Sequence, residues 1–378
     1  MAICYLDNSA TTVCCAAAAE AATALMLTNF GNPSSLHTLG IRAEEAVTDT
    51  REAVASLIGA TAGEITFTSG GTEANNTALI GGATAKMRFG KHVVITAVEH
   101  SSVSAAAAEL ERRGFTVTRV VPDKDGDISA DAMVDACRPD TVLVSMMLVN
   151  NETGAIFPVG ETAAKVRAVC PNALIHCDAV QAAGKLPINV KRLGVDLLTV
   201  SAHKLHGPKG CGALFVRKGV RVLPLIHGGE QEKGLRGGTE AVPLIGGFGA
   251  ALRALAPPAA QREHLATLCD RLVAALKARE GIVLHLPKQH LPAIVNLSAV
   301  GIRSETMLHF LAAREIYVSS GSACAKGKPS EVLTAMGLPK AEADSALRVS
   351  FDLSNTVDDV DRFVAALDEG MRTLARAR

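Results

Sequence analysis

Between residues 65 and 216 the chain alternates short apolar or β-branched runs with helical stretches. The runs fall at 65–68, 92–98, 115–121, 141–149, 173–178, 196–201 and 212–216, and helical patterns such as 102–113 and 130–137 separate most of them. That alternation predicts an α/β fold with a mostly parallel sheet covered by helices on both faces. In such sheets ligands bind in the crevice outside the carboxyl ends of the strands. The polar residues that close each run are therefore the places to look for chemistry.

Three of those ends carry complementary groups. The run 196–201 opens into Ser201-Ala202-His203-Lys204-Leu205-His206-Gly207-Pro208-Lys209-Gly210, which sets Lys204 on a polar turn after a buried strand. Burial there lowers the pKa of a lysine and makes it a Schiff-base nucleophile. The run 173–178 ends on Asp178, with Gln181 just beyond. A carboxylate so placed can pair with a protonated pyridine nitrogen, the pairing through which pyridoxal 5'-phosphate (PLP) works as an electron sink, and Gln181 is within reach of the ring's phenolic oxygen. The run 65–68 leads into Ser69-Gly70-Gly71-Thr72-Glu73-Ala74-Asn75-Asn76, where glycines let the backbone approach an anion at a helix start. Neither a GxxxxGKS/T loop nor a GxGxxG fingerprint is present, which argues against a common nucleotide site. Acid, lysine and phosphate cup, each following a strand, point to a cofactor site.

Beyond the sheet, a helical region starts after Val242-Pro243 and is broken at Ala256-Pro257-Pro258-Ala259. Weaker strand signals near 282–286, 293–297, 317–319 and 346–351 predict a smaller α/β unit. The expected division is a large domain of residues 15–250 and a small domain of residues 1–14 and 251–378. In the last helix Val360, Phe363, Val364, Leu367 and Met371 form one stripe behind an N-cap at Thr356. Arg348 sits inside an alternating strand, where a buried guanidinium needs either a salt bridge or the α-carboxylate of a substrate. Cys324 lies in Ser319-Ser320-Gly321-Ser322-Ala323-Cys324-Ala325-Lys326-Gly327-Lys328-Pro329. Small residues and two lysines around a cysteine describe an electropositive, accessible loop that favours a thiolate.

These blocks, in this order, resemble one family. Tyr5-Leu6-Asp7-Asn8-Ser9-Ala10-Thr11-Thr12, Gly31-Asn32-Pro33-Ser34-Ser35-Leu36-His37, Ser69-Gly70-Gly71-Thr72-Glu73, Glu99-His100, Asn150-Asn151-Glu152-Thr153-Gly154, Asp178-Ala179-Val180-Gln181, Ser201-Ala202-His203-Lys204, Arg236-Gly237-Gly238-Thr239 and the Cys324 segment look like a cysteine desulfurase of the NifS/IscS type. Such enzymes belong with the class V aminotransferases. The likeness covers residue 5 to at least Arg348. It implies PLP-dependent transferase fold type I, with a seven-stranded sheet in the large domain. It also implies conversion of L-cysteine to L-alanine, with the sulfur passed to Cys324 as a persulfide for iron–sulfur cluster assembly or transfer-RNA thiolation. By the same resemblance Lys204, His100 and Cys324 are catalytic. Gly71, Thr72, His100, Asn151, Asp178, Gln181, Ser201, His203 and Lys204 bind the cofactor, and Arg348 and Asn151 the substrate. Thr239 reaches the phosphate from a second subunit, which implies a homodimer. Asn8, Asn32 and His37 serve positioning. From Cys324 to Pro329-Ser330-Glu331-Val332-Leu333 the chain is shorter than in longer-looped members of that family, so the sulfur acceptor is left open. The alternatives are a related PLP enzyme, an aminotransferase or a selenocysteine lyase, told apart by Cys324, which aminotransferase chemistry does not require, and a non-catalytic carrier, which loss of the lysine or the phosphate cup would support.

Charge and cysteine content narrow the rest. Lysine plus arginine equals aspartate plus glutamate at 38 each, so no basic field argues for direct nucleic-acid binding. Nine scattered cysteines form neither a disulfide framework nor a local metal-ligand spacing, so no metal is expected. The N-terminus has no secretory pattern, and the apolar run 16–27 is too short to span a bilayer. A reducing cytoplasm and a sulfur-acceptor protein as partner are the expectations.

Overall fold

A computed structural model describes residues 3–320 and 330–375. After β1 (Cys4–Tyr5) the strands are β2 (Ile65–Thr68), β3 (His92–Thr96), β4 (Thr116–Val120), β5 (Thr141–Ser145), β6 (Leu174–Asp178), β7 (Leu197–Ser201) and β8 (Gly212–Val216). From β2 to β8 they form a single seven-stranded sheet in the order β2-β8-β7-β6-β5-β3-β4. Neighbours from β7 to β4 pair in parallel, whereas β8 is antiparallel to both β7 and β2. The reversal has a local cause. Only residues 202–211 connect β7 to β8, too few for the crossover a parallel partner needs.

The central strands β3, β5, β6 and β7 are buried along their whole length, as a sheet covered on both faces requires. Alternate side chains feed two cores. Val93, Ile95, Leu143, Leu174 and Leu197 pack on one face with Ala74, Ala78, Val103 and Leu110 from the covering helices. Val94, Val144, Ile175 and Leu198 point to the other face, whose core runs on through Ile58 and Phe248. The helices predicted at 102–113 and 130–137 are Ser101–Arg112 and Ala130–Asp135, and the proline-broken region gives Val242–Ala254 and Pro258–Leu276.

A second sheet holds β9 (Ile282–His285), β10 (Ile294–Ala299) and β12 (Ala346–Ser350), antiparallel in the order β12-β10-β9. The last helix, Val357–Thr373, starts with a capping box: the Thr356 N–H donates to Asp359 Oδ2 (2.9 Å), and the Asp359 N–H donates back to Thr356 Oγ1 (3.4 Å). Its stripe residues Val360, Phe363, Val364 and Leu367 are buried, with Met371 packed against the same core. β1 pairs in parallel with β11 (Ile316–Tyr317), and Asp7 bridges to Ser350 at the end of β12. The chain then crosses to the central sheet, where the Thr12 N–H donates to the His203 carbonyl (3.0 Å). The N-terminal segment thus ties β12 to the turn after β7. Among the described residues no helix is long and apolar enough to cross a membrane, and no cluster of three or more His, Cys, Asp or Glu could hold a metal ion.

Candidate active site

The carboxyl ends of β6 and β7 open into a cavity of about 650 Å³. Lys204 enters it from a short 3₁₀ turn that follows β7 directly. Its Nζ donates to the Ala10 carbonyl (2.6 Å) and to the Ser9 carbonyl. Burial is the main cause that brings its pKa down to about 7, aided by the positive charges of Arg348 and Lys185. The turn continues through His206 at φ 59°, a left-handed conformation costly for a residue with a side chain. Thr12 Oγ1 accepts the His206 N–H (2.9 Å), and His206 Nδ1 lies 3.1 Å from the Val13 carbonyl. Segment 9–13 therefore fixes both the lysine and its turn.

Asp178 closes β6 beside it. Its Oδ1 accepts the Val180 N–H (3.0 Å), and its Oδ2 accepts the Asn75 amide (2.7 Å). The same Asn75 nitrogen donates to Ser102 Oγ (2.9 Å). Both carboxyl oxygens of Asp178 are thus engaged. Beneath it, His176 is fully buried between Ser145 and Thr199, and burial lowers its pKa to about 4, so it adds no charge.

The glycine turn forms the opposite wall. Gly70 has φ 148°, open only to glycine, and a Cβ on Gly71 would meet Val180 Cγ2 at 3.1 Å and Ser201 Cβ at 3.6 Å. Thr72, Ser201 and His203 line this end, and His203 is neutral because burial, more than Lys204 or Lys209, brings its pKa to about 4. Ser201 Oγ, Gln181 Oε1 and Arg348 Nε are buried without a partner among the described residues. Buried polar atoms normally have partners. These unused groups, the cradle at Gly71, the carboxylate and the amine together fit a phosphorylated heteroaromatic carbonyl compound such as PLP.

Arg348, only 2% exposed, brings the second sheet to the site. Its Nη2 pairs with Asp7 Oδ1 (2.7 Å), and its Nη1 donates to the Asn151 carbonyl (2.9 Å). The structural salt bridge foreseen as one option exists, yet Arg348 still lines the cavity with Nε unused. Asn151 sits on a loop built by its neighbour: Asn150 Oδ1 accepts the N–H groups of Glu152 and Thr153, both at 2.9 Å, while its amide holds the Val98 carbonyl (3.0 Å). His100 caps the helix Ser101–Arg112 as well as lining the cavity; its Nδ1 accepts the Ser102 N–H (3.1 Å), and burial holds its pKa below the usual value.

Ten of the residues named from sequence converge here: Gly71, Thr72, His100, Asn151, Asp178, Gln181, Ser201, His203, Lys204 and Arg348. Thr239 is exposed and does not line the cavity of its own chain. Cys324 lies outside the described residues. Sequence reasoning assigned no role to Asn75, Glu99, Asp7 or the carbonyls of Ser9 and Ala10. Each of these stood in a quoted block, but only the tertiary structure shows what it touches.

With this geometry in place, the chain can be set against known proteins. The model of the family described as aminotransferase class-V matches residues 4–363. This chain belongs to the class-V aminotransferase family. One class-V relative, a protein named cysteine desulfurase IscS from Methanosarcina thermophila, is 43% identical over 98% of this chain and 92% of its own length. A solved structure of a NifS-like protein superposes with a TM-score of 0.93 at 36% identity, covering 99% of this chain and all of the other. A second, described as SspA in complex with cysteine, has a TM-score of 0.82 at 34% identity and covers 92% of this chain and 98% of its own.

Proposed function

We propose that this protein is a cysteine desulfurase that converts L-cysteine to L-alanine and leaves the sulfur on Cys324 as a persulfide. The observation that carries this reading is the convergence of Asp178 from β6, Lys204 from the turn after β7 and Arg348 from β12 on one cavity with an anion cradle at Gly71. The cysteine desulfurase name of a near relative and the cysteine complex of a structural neighbour support the substrate.

On this reading Gly71, Thr72, Ser201 and His203 hold the phosphate of PLP, joined by Thr239 of a second subunit in a homodimer. Asp178 holds the pyridine nitrogen and Gln181 the phenolic oxygen, with His100 and Asn151 completing the wall. Bound PLP supplies an electron sink for negative charge developing at the substrate Cα. Arg348 orients the cysteine α-carboxylate through its guanidinium fork. Lys204, whose amine is about half neutral at pH 7, is suited to take the Cα proton and return it. The Cys324 thiolate attacks the substrate sulfur; the S–S bond forms as the C–S bond breaks. Cysteine plus enzyme thiol gives alanine plus enzyme persulfide, so the reaction balances without an external oxidant. A sulfur-acceptor protein then takes the persulfide sulfur, for iron–sulfur cluster assembly or a thiolation relay in the cytoplasm. The division into residues 15–250, with residues 1–14 and 251–378 as a smaller domain carrying Cys324, belongs to the same reading.

The test is a single turnover with L-cysteine, comparing wild type with Cys324→Ala. Wild type should release alanine and gain the mass of one sulfur atom, and the variant should do neither. Unchanged alanine formation by the variant would remove the persulfide route.

A further inference from the structure

A second carboxyl lies at the floor of the site, and the reaction above does not use it. Glu99 follows β3 and is 5% exposed. Its Oε1 accepts the Thr96 hydroxyl (3.1 Å) and the Met147 N–H (3.0 Å), while Oε2 has no partner among the described residues. The next residue along, Leu148, donates its N–H to the main-chain carbonyl of Asp178 (2.9 Å). Glu99 and Asp178 are therefore held on either side of one dipeptide, both lining the same cavity.

The groups facing Glu99 supply no paired cation. β6 presents Asp178 and Cys177, the latter with its thiol pushed well up by burial. The helix start presents His100, which burial holds toward neutrality, and the loop after β5 presents Glu152, whose pKa burial raises. Lys204 faces the cavity from the turn after β7 and is itself lowered. Among the described residues no lysine or arginine pairs with Glu99, and a buried, unpaired carboxylate is costly. Burial first, and then the charge of Asp178, lifts its pKa to about 8.

We propose that Glu99 is a positioning residue for Asp178: a neutral carboxylic acid that leaves Asp178 as the single negative charge under the bound ring. Asp178 takes the Val180 N–H on one oxygen and the Asn75 amide on the other, whereas Glu99 takes its two donors on one oxygen only. That asymmetry leaves Glu99 Oε2 as the one oxygen of the two carboxyls with no donor on it and room for a proton, the arrangement two neighbouring carboxyls adopt when one charge is favoured over two. The role toward the ring rests on the PLP reading; the protonation state does not.

Infrared spectroscopy of the cofactor-free protein tests it. Wild type at pH 6.5 should show a protonated carboxylic-acid carbonyl band that is absent from Glu99→Gln and fades in wild type with a midpoint near pH 8. Glu99→Gln, a neutral isostere, should bind PLP within about threefold of wild type at pH 7. It should also lose the part of the fall in melting temperature between about pH 4.5 and 8 that Glu99 causes. The sign follows from linkage: an acid raised on folding stabilises below its unfolded pKa, and that contribution is lost as pH rises through the folded value. A wild-type-minus-variant spectrum containing only carboxylate bands would overturn the proposal, as would a tenfold loss of PLP affinity in a natively folded Glu99→Gln. Should that variant fail to fold, the pH-difference spectrum of wild type labelled with ¹³C-glutamate decides: a glutamic-acid band titrating near pH 8 supports the inference, and its absence refutes it. Neither infrared readout depends on desulfuration, so failure of the desulfurase reading leaves it standing.

Discussion

Lys204 should behave as a near-neutral amine before any cofactor reaches it. With a pKa of about 7, roughly 90% of its Nζ is unprotonated at pH 8, against about 0.4% for an ordinary lysine near 10.4. The difference, on the order of 200-fold in reactive amine, is large enough to survive partial shielding by the cavity. The assay is competitive acetylation of the cofactor-free protein across pH, with Lys204 quantified by mass spectrometry against exposed lysines such as Lys340. Arg348→Gln is the informative perturbation, because Arg348 is the largest of the charges holding the amine down. Its removal also frees the carboxylate of Asp7, which pulls in the same direction. Both changes should raise the Lys204 midpoint, by on the order of one unit. A wild-type midpoint above 9.5, or one that does not move in Arg348→Gln, would refute the account of how this lysine is activated.

Other outcomes follow from the same contacts. Asn75→Ala deprives Asp178 of one of its two donors; at about 1.5–3 kcal/mol for a hydrogen bond to a charged group, PLP affinity should fall roughly 10–150-fold, measured by titration of the cofactor-free protein. Arg51→Met strands Glu232, whose side chain is 3% exposed and takes both guanidinium nitrogens (2.7 and 2.8 Å) together with the Phe67 N–H. The loss should be about 3–5 kcal/mol in urea unfolding, and a loss below about 1 kcal/mol would show the pair to be dispensable. Lys204→Met should flatten the pH dependence of stability in the cofactor-free protein. Lysine lowered from 10.5 to about 7 binds fewer protons folded than unfolded, so stability climbs across that window by up to about 5 kcal/mol, and the variant should lack that climb.

Much of this architecture could be read from the chain because strand ends announce themselves. Asp178 and Lys204 each close a run whose apolar pattern is unmistakable, and the cup at Ser69-Gly70-Gly71 follows another. The runs 65–68 and 212–216 match their strands, but the run 141–149 holds a strand ending at Ser145, after which the extended chain turns to serve Glu99 and Asp178. What stayed hidden has no local pattern. Ser9 and Ala10 act through carbonyl oxygens, which any residue would supply, so nothing in their side chains marks them. Asp7 meets Arg348 only through tertiary folding, and Glu99 resembles any acid at a strand end until its neighbours are seen to lack a cation.

The ion pair between Asp7 and Arg348 joins residues 341 positions apart. Together with the Ser9 and Ala10 carbonyls on Lys204, it makes the N-terminal segment and one of the last strands two halves of the same wall. During synthesis, then, the large sheet can be complete while the cavity is still missing a side. Completion of this wall therefore waits on β12. A ligand that bridges the two halves stabilises the finished chain over every shorter intermediate, by mass action alone.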